Sequence, residues 1–254
     1  MKNIKLVVAY DGTNYSGWQI QPNAVTIEQV LDNAIKQLTK EDIHVTGASR
    51  TDAGVHAMGN VAVFKTNSTI PGRRWAYALN KYLPDDVVIQ ASWEVDENFH
   101  PRRCNTVKTY EYKILNTEFP FPKERNYSWH IPHNLDIENM NTAAQLLVGE
   151  HDFKSFCCVR TQAESTVRHI YSLEVVREAS NYITIRVTGN GFLYNMVRII
   201  AGTLVQVGRG KTTFQDIENM LESKDRCSAG QTAPPQGLTL VNIKYVDGDD
   251  KEVV

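Results

Sequence analysis

Gly47-Ala48-Ser49-Arg50-Thr51-Asp52-Ala53-Gly54-Val55-His56-Ala57 stands between two runs that read as strands, residues 43–46 and 59–65. The stretch is too polar and too rich in small residues to be core. Gly47 and Gly54 let its backbone turn and lie close to a partner. Arg50 and Asp52 are two positions apart, so an extended backbone places both side chains on one side. Two readings follow. One is a tight turn carrying a solvated Arg–Asp pair; the other is a ligand site on a connection between strands.

The flanking sequence supplies a fold around this loop. Residues 5–10 read as a strand. Thr26-x-x-Gln29 fits a capping box, and Ile27, Val30, Leu31, Ala34, Ile35 and Leu38 follow at helical spacing. Residues 73–83 read as a second helix stopped at Pro84, with Trp75, Ala78, Leu79 and Tyr82 as its apolar stripe. Residues 87–95 read as a strand. The order β-α-β-β-α-β matches a ferredoxin-like (RRM-like) split unit with an antiparallel sheet. Beyond residue 106 the order repeats loosely. Strands are expected at 107–115, 166–177, 182–188 and 238–245, and helices from Asp136 to about 147, from about 192, and at 213–221. Residues 117–132, with three prolines, and the stretch after 149 read as loop. The expected fold is α+β: two such units, 1–105 and 106–254, with adjoining antiparallel sheets and a central cleft.

The chain has 254 residues, 42% of them hydrophobic, and a formal net charge of −2. That suits one large domain or two intimately packed halves. A polyanionic partner would have to be held by a local basic patch. The apolar run at 6–9 is too short for a secretion signal, and the longest apolar segment, 192–207, is broken by Asn195, Arg198 and Gln206. Cys104, Cys157, Cys158 and Cys227 form no C-x-x-C pair. Reduced, buried, inert thiols in a cytoplasmic protein are the expectation, with no membrane span.

Several stretches carry candidate chemistry. Tyr15-Ser16-Gly17-Trp18-Gln19-Ile20-Gln21 is either an edge strand or a surface for flat, hydrogen-bonding ligands such as bases. On a helix over 192–205, Phe192, Leu193, Met196, Val197, Ile199, Ile200 and Leu204 form the core arc, and Arg198 lies opposite with Ala201 and Gly202 beside it. Small neighbours would let another segment approach Arg198. It is then either a surface arginine or one aimed across the cleft at a carboxylate. Gly208-Arg209-Gly210-Lys211-Thr212 resembles the tail of a phosphate-binding loop. It has Val205 where the motif needs glycine and follows a helix, so no nucleotide cofactor is expected. Pro132 interrupts His130 and His133, which argues against a metal pair.

Six motifs, in order, carry a resemblance over nearly the whole chain. They are Tyr10-Asp11-Gly12-Thr13-x-Tyr15-x-Gly17-Trp18-Gln19-x-Gln21; Arg50-Thr51-Asp52-Ala53-Gly54-Val55-His56-Ala57; Lys108-Thr109-Tyr110-x-Tyr112; Gly149-Glu150-His151-Asp152-Phe153; Gly191-Phe192-Leu193-Tyr194-Asn195-Met196-Val197-Arg198; and Ala233-Pro234-x-x-Gly237-Leu238. The chain resembles the TruA family of tRNA pseudouridine synthases. The resemblance implies a cofactor-free and metal-free isomerase that detaches uracil from ribose, turns it and rejoins it through carbon 5. It implies Asp52 as the catalytic aspartate, Arg198 as the cation keeping that carboxylate ionised, and Tyr110 stacked on the uracil and moving a proton at carbon 5. Arg50 would fill the space left by the flipped base, Leu238 would wall the pocket, and His56 would order the loop beside the substrate. The implied substrate is uridine 38, 39 or 40 of the tRNA anticodon stem-loop, bound by a homodimer. Arg73, Arg74, Arg102, Arg103, Lys108, Arg160, Arg168 and Arg209 are candidates for phosphate contacts. The alternative is a non-catalytic protein that binds structured RNA.

Overall fold

The computed structural model describes residues 1–159, 163–178 and 181–246. Arg160 and residues 179 and 180 of the expected hairpin turn lie outside that set. The described chain is α+β and divides into two compact units, Met1–Thr106 together with the chain from Leu240, and Val107–Thr239. The division falls beside the expected 105/106 boundary, but the last strand groups mostly with the first unit.

In the first unit β1 (Lys2–Tyr10) is central, antiparallel to both β3 (His56–Thr66) and β4 (Val87–Val95), and the short β2 (Thr46–Gly47) pairs with β3. Because β1 is covered on both faces, it reads as a nearly continuous buried run and lacks the alternation of a half-exposed strand. Lys5 lies in that run. Its ammonium sits 4.4 Å from the centre of the Tyr245 ring, with Phe99 at 5.4 Å and Trp93 at 5.9 Å, so aromatic faces replace part of its water. Helix α1 (Ile27–Thr39) starts where Thr26 accepts from the Gln29 N–H and ends at left-handed Lys40, burying Ile27, Leu31, Ala34 and Ile35. The second helix is much shorter than the spacing implies. A 3-10 turn over Gly72–Arg74 leads into α2 (Trp75–Leu79). The Asn80 amide then pairs with the Ile89 backbone through both its oxygen and nitrogen, ending the helix, and Tyr82 lies beyond it, exposed.

The second unit orders its strands β5-β9-β8-β7. β5 (Thr106–Leu115), β8 (Val167–Arg177) and β9 (Tyr182–Gly189) were expected. Two short strands were not: β6 (Trp129–His130) runs parallel to β5 inside the proline-rich stretch, and β7 (Gly149–Asp152) pairs with β8 where a loop was expected. Both are too short for a period to show in sequence. Helix α3 (Ile137–Gln145) is capped by Asp136. Helix α4 (Met196–Gly208) begins four residues later than expected, because Asn195 adopts φ 65°. It is buried almost all round, not amphipathic: Arg198 and Gln206 alone escape full burial. Helix α5 (Phe214–Ser223) starts with a reciprocal box in which Thr213 accepts from the Asp216 N–H and Asp216 from the Thr213 N–H. β10 (Leu238–Tyr245) closes the described chain.

Thr213→Ala removes one side of that box. Thermal unfolding should register a loss of about 1 kcal/mol, a fall in Tm of about 2–4 °C; an unchanged Tm would show the cap to be idle.

Candidate active site

The connection between β2 and β3 is held from beneath by a buried amide. Asn60, with no exposed surface, accepts from the Ser49 N–H at 3.3 Å and the Val61 N–H at 2.9 Å. It donates to the Ser49 carbonyl at 3.0 Å and the Tyr10 hydroxyl at 3.3 Å. The Tyr10 hydroxyl is 2.7 Å from Thr51 Oγ1. The Trp18 N–H donates to the Thr51 carbonyl at 3.0 Å, the Gly54 N–H to the Tyr15 carbonyl at 3.3 Å, and the Val55 N–H to the Asp52 carbonyl at 3.1 Å. Backbone lies so close that a Cβ on Gly17, which has φ +88°, would stand 2.6 Å from the Thr51 carbonyl oxygen, and one on Gly12 2.0 Å from that of Val55. Thr51 is buried, Arg50 is exposed and Asp52 is intermediate, the alternation expected of an extended segment.

This corrects the reading of residues 15–21 as a base-binding surface. Trp18 is fully buried and Tyr15 nearly so. The Tyr15 hydroxyl donates to the Asp86 carboxylate, and burial together with that carboxylate pushes its pKa far above the usual phenol range. The aromatic motif is the bed of the Asp52 loop. His56 belongs to the same bed: its Nδ1 lies 3.1 Å from the Gly12 N–H and 3.1 Å from Asp11 Oδ1, so the ring's proton decides which contact is the hydrogen bond. At the loop's start the Arg102 Nε donates to the Gly47 carbonyl at 2.7 Å.

The second unit collects the other three candidates. Tyr110, on β5, is buried edge-on to Phe192 with ring centres 5.2 Å apart. Two residues on, the Tyr112 hydroxyl donates to the Pro234 carbonyl at 2.8 Å, and burial, opposed by Arg198, raises its pKa well above the ordinary value. Arg198, in the first turn of α4, donates from Nε to the Ala233 carbonyl at 2.7 Å and from Nη1 to Asn195 Oδ1 at 2.9 Å, while the Ala233 N–H returns a bond to the Arg198 carbonyl at 3.0 Å. The expected close approach is present: a Cβ on Gly202 would meet the Gln231 carbonyl oxygen at 1.9 Å. Leu238, buried at the end of this segment, follows the 3-10 turn at Pro235–Gly237. Arg50 and Asp52 thus lie on one loop of the first unit with His56 where β3 begins, and in the second unit the 231–238 segment positions Arg198 and Leu238 while Tyr110 packs on Phe192.

Among the described residues no group of three or more His, Cys, Asp or Glu could hold a metal ion. Among the described residues no helix is long and apolar enough to cross a membrane. The thiols differ from expectation in part: Cys157 is buried, with its pKa raised chiefly by that burial, but Cys227 is exposed. Asn60 and the Arg198–Ala233 exchange were missed. The signal for Asn60 was a lone amide inside the apolar run 59–65, a position that demands partners.

Asn60→Leu keeps the branched shape, adds bulk and strands the Ser49 backbone groups. It should cost about 1–3 kcal/mol and speed hydrogen exchange at Ser49 and Val61; native exchange rates at both amides would overturn the anchoring role.

The sequence model of the tRNA pseudouridine synthase family matches residues 6–102 and 143–246. The chain is 51% identical over 245 residues to a protein of Thermoanaerobacter sp. named tRNA pseudouridine synthase A, covering 96% of this chain and 100% of that one. A protein of the same name from Acetivibrio thermocellus is 49% identical over the same coverage. So is tRNA pseudouridine synthase A 2 of Clostridium perfringens.

Proposed function

This chain belongs to the tRNA pseudouridine synthase family, and from that premise we propose how its own residues carry the reaction. It isomerises uridine to pseudouridine in tRNA. Asp52 is proposed as the catalytic carboxylate. The observation that carries this is the loop itself: an acidic side chain, part-exposed, on a backbone fastened by Asn60, Tyr10, Tyr15 and Trp18. Such fastening holds a reacting group in one geometry, which is what a chemical step requires.

The bond between ribose C1′ and uracil N1 breaks, the base turns, and a bond forms between C1′ and C5. The hydrogen on C5 leaves to water as a proton and N1, which keeps the electron pair of the broken C–N bond, takes a proton from water, so no electrons are gained or lost and no oxidant or cofactor is consumed. The ionised Asp52 carboxylate is the group that assists the breaking of the C–N bond. Arg198 is assigned as the cation that favours the charged form of that carboxylate. Its guanidinium is suited to this because the Ala233 carbonyl and Asn195 already fix its plane. Tyr110 stacks on the uracil and moves the C5 proton, and Leu238 lines the pocket. Arg50, exposed beside Asp52, occupies the space of the flipped base, and His56 keeps the loop in register. The two-unit fold is read as two ferredoxin-like splits; in the first unit the strand order β4-β1-β3 with β2 on β3 supports this. A homodimer working on the anticodon arm in the cytoplasm completes the proposal.

Unmodified tRNA transcripts incubated with the protein and mapped by carbodiimide-dependent reverse-transcription stops should show pseudouridine at positions 38, 39 and 40. Stops confined to other positions would refute the substrate assignment. Arg198→Met should lower the single-turnover rate by about 100-fold or more with tRNA affinity changed far less; an unaltered rate would remove Arg198 from the chemistry.

A further inference from the structure

Two guanidinium groups stand near each other at the foot of the Asp52 loop. Arg102 is exposed and spends its Nε on the Gly47 carbonyl, the residue where the loop begins. No other side-chain bond to Arg102 is made among the described residues, so its two terminal nitrogens are unspent. Arg50, three residues along from Gly47, is exposed and makes no hydrogen bond or ion pair among the described residues. Arg103, also exposed, follows Arg102.

The charges of this cluster are compensated only in part. Partial desolvation, then the nearby Arg50, hold the Arg102 pKa below the usual arginine range, and Glu28 is the acid that opposes them. The Glu28 carboxylate already accepts from the Ile20 N–H at 3.0 Å. The adjoining histidine adds no third charge. His100 Nδ1 accepts from the Arg102 N–H at 3.2 Å, and burial, then Arg103 and Arg102, hold its pKa below the ordinary imidazole value. Like charges that outnumber the acid beside them repel, and the arrangement gains when an anion enters between them. Guanidinium forks match the paired oxygens of carboxylates and phosphates, and on the tRNA reading the anion at hand is a phosphate.

We propose that Arg102, anchored on Gly47, is a phosphate clamp that grips the RNA backbone of the nucleotide next to the one being isomerised, beside the path Arg50 takes into the space of the flipped base and with Arg103 as an outer contact. The clamp rests on the tRNA reading above and deepens it. Its anchor is the carbonyl that starts the catalytic loop, so RNA grip and carboxylate position share one piece of backbone.

The test measures tRNA affinity against salt in the Asp52→Asn background, so bound tRNA is not turned over. Arg102→Gln keeps an N–H donor for the Gly47 carbonyl but removes the charge. The expected result is about tenfold weaker binding at low salt and a log–log salt slope shallower by about 0.7–0.9; Arg102→Lys should restore most of the slope. An unchanged slope in Arg102→Gln, whether or not its Tm falls, overturns the clamp and leaves Arg102 a staple of the loop. Parent protein that shows no salt-dependent tRNA binding overturns it as well. Pseudouridine formation by the wild type, mapped separately, tells a failed clamp from a failed functional reading.

Discussion

A buried carboxamide must find partners for its oxygen and both its N–H groups or lose several kcal/mol, and Asn60 satisfies that demand by holding Ser49 at both its N–H and its carbonyl. The same amide reaches the Tyr10 hydroxyl, which reaches Thr51. A polar connection of small residues would otherwise be the softest part of the unit. Here it is among the most constrained, because loosening it strands buried polar groups on two strands at once. Gly12 and Gly17 complete the constraint by letting backbone pack against the loop where no side chain fits. The position of Asp52 is therefore a property of the sheet, not of the loop's own sequence.

The second unit solves a similar problem differently. Arg198 is held by backbone, not by a buried side-chain network: Nε on the Ala233 carbonyl, with the Ala233 N–H returning to the Arg198 carbonyl. Gly202 admits the passing chain at Gln231, and Gly230 lets its N–H reach Thr203 Oγ1 at 3.0 Å. A planar guanidinium fixed at one edge presents the remaining edge in a set direction, which a lysine could not do. The segment that holds Arg198 also receives the Tyr112 hydroxyl and leads to Leu238, while Tyr110 is packed by Phe192.

Much of this was legible because it is periodic or capped. Helices α1, α3 and α5 carry cap residues and apolar spacing, and the long strands carry β-branched runs. Strands β6 and β7, two and four residues long, offer no period. Helix α4 misled because its apolar residues continue back to Phe192, while the left-handed Asn195 that starts it leaves no trace in hydrophobicity. The aromatic stretch at Tyr15 and Trp18 misled for a different reason. Aromatics beside amides suit a ligand surface and a tightly packed loop bed equally well, and only burial separates the two. Arg50, Asp52 and Arg198 stood out as charges among small residues. Of their anchors, Asn60 shows only as a lone amide in an apolar run, and Ala233 not at all, since a backbone carbonyl has no signature in sequence.

Release of tritium from tRNA labelled at uracil carbon 5 bears most directly on the claim that a sheet-anchored Asp52 performs the isomerisation. The account predicts that wild-type protein releases the label to water with nothing added, and that Asp52→Asn binds the same tRNA and releases none. Equal release by both proteins, or none by the wild type on a tRNA that a working synthase modifies, would contradict it.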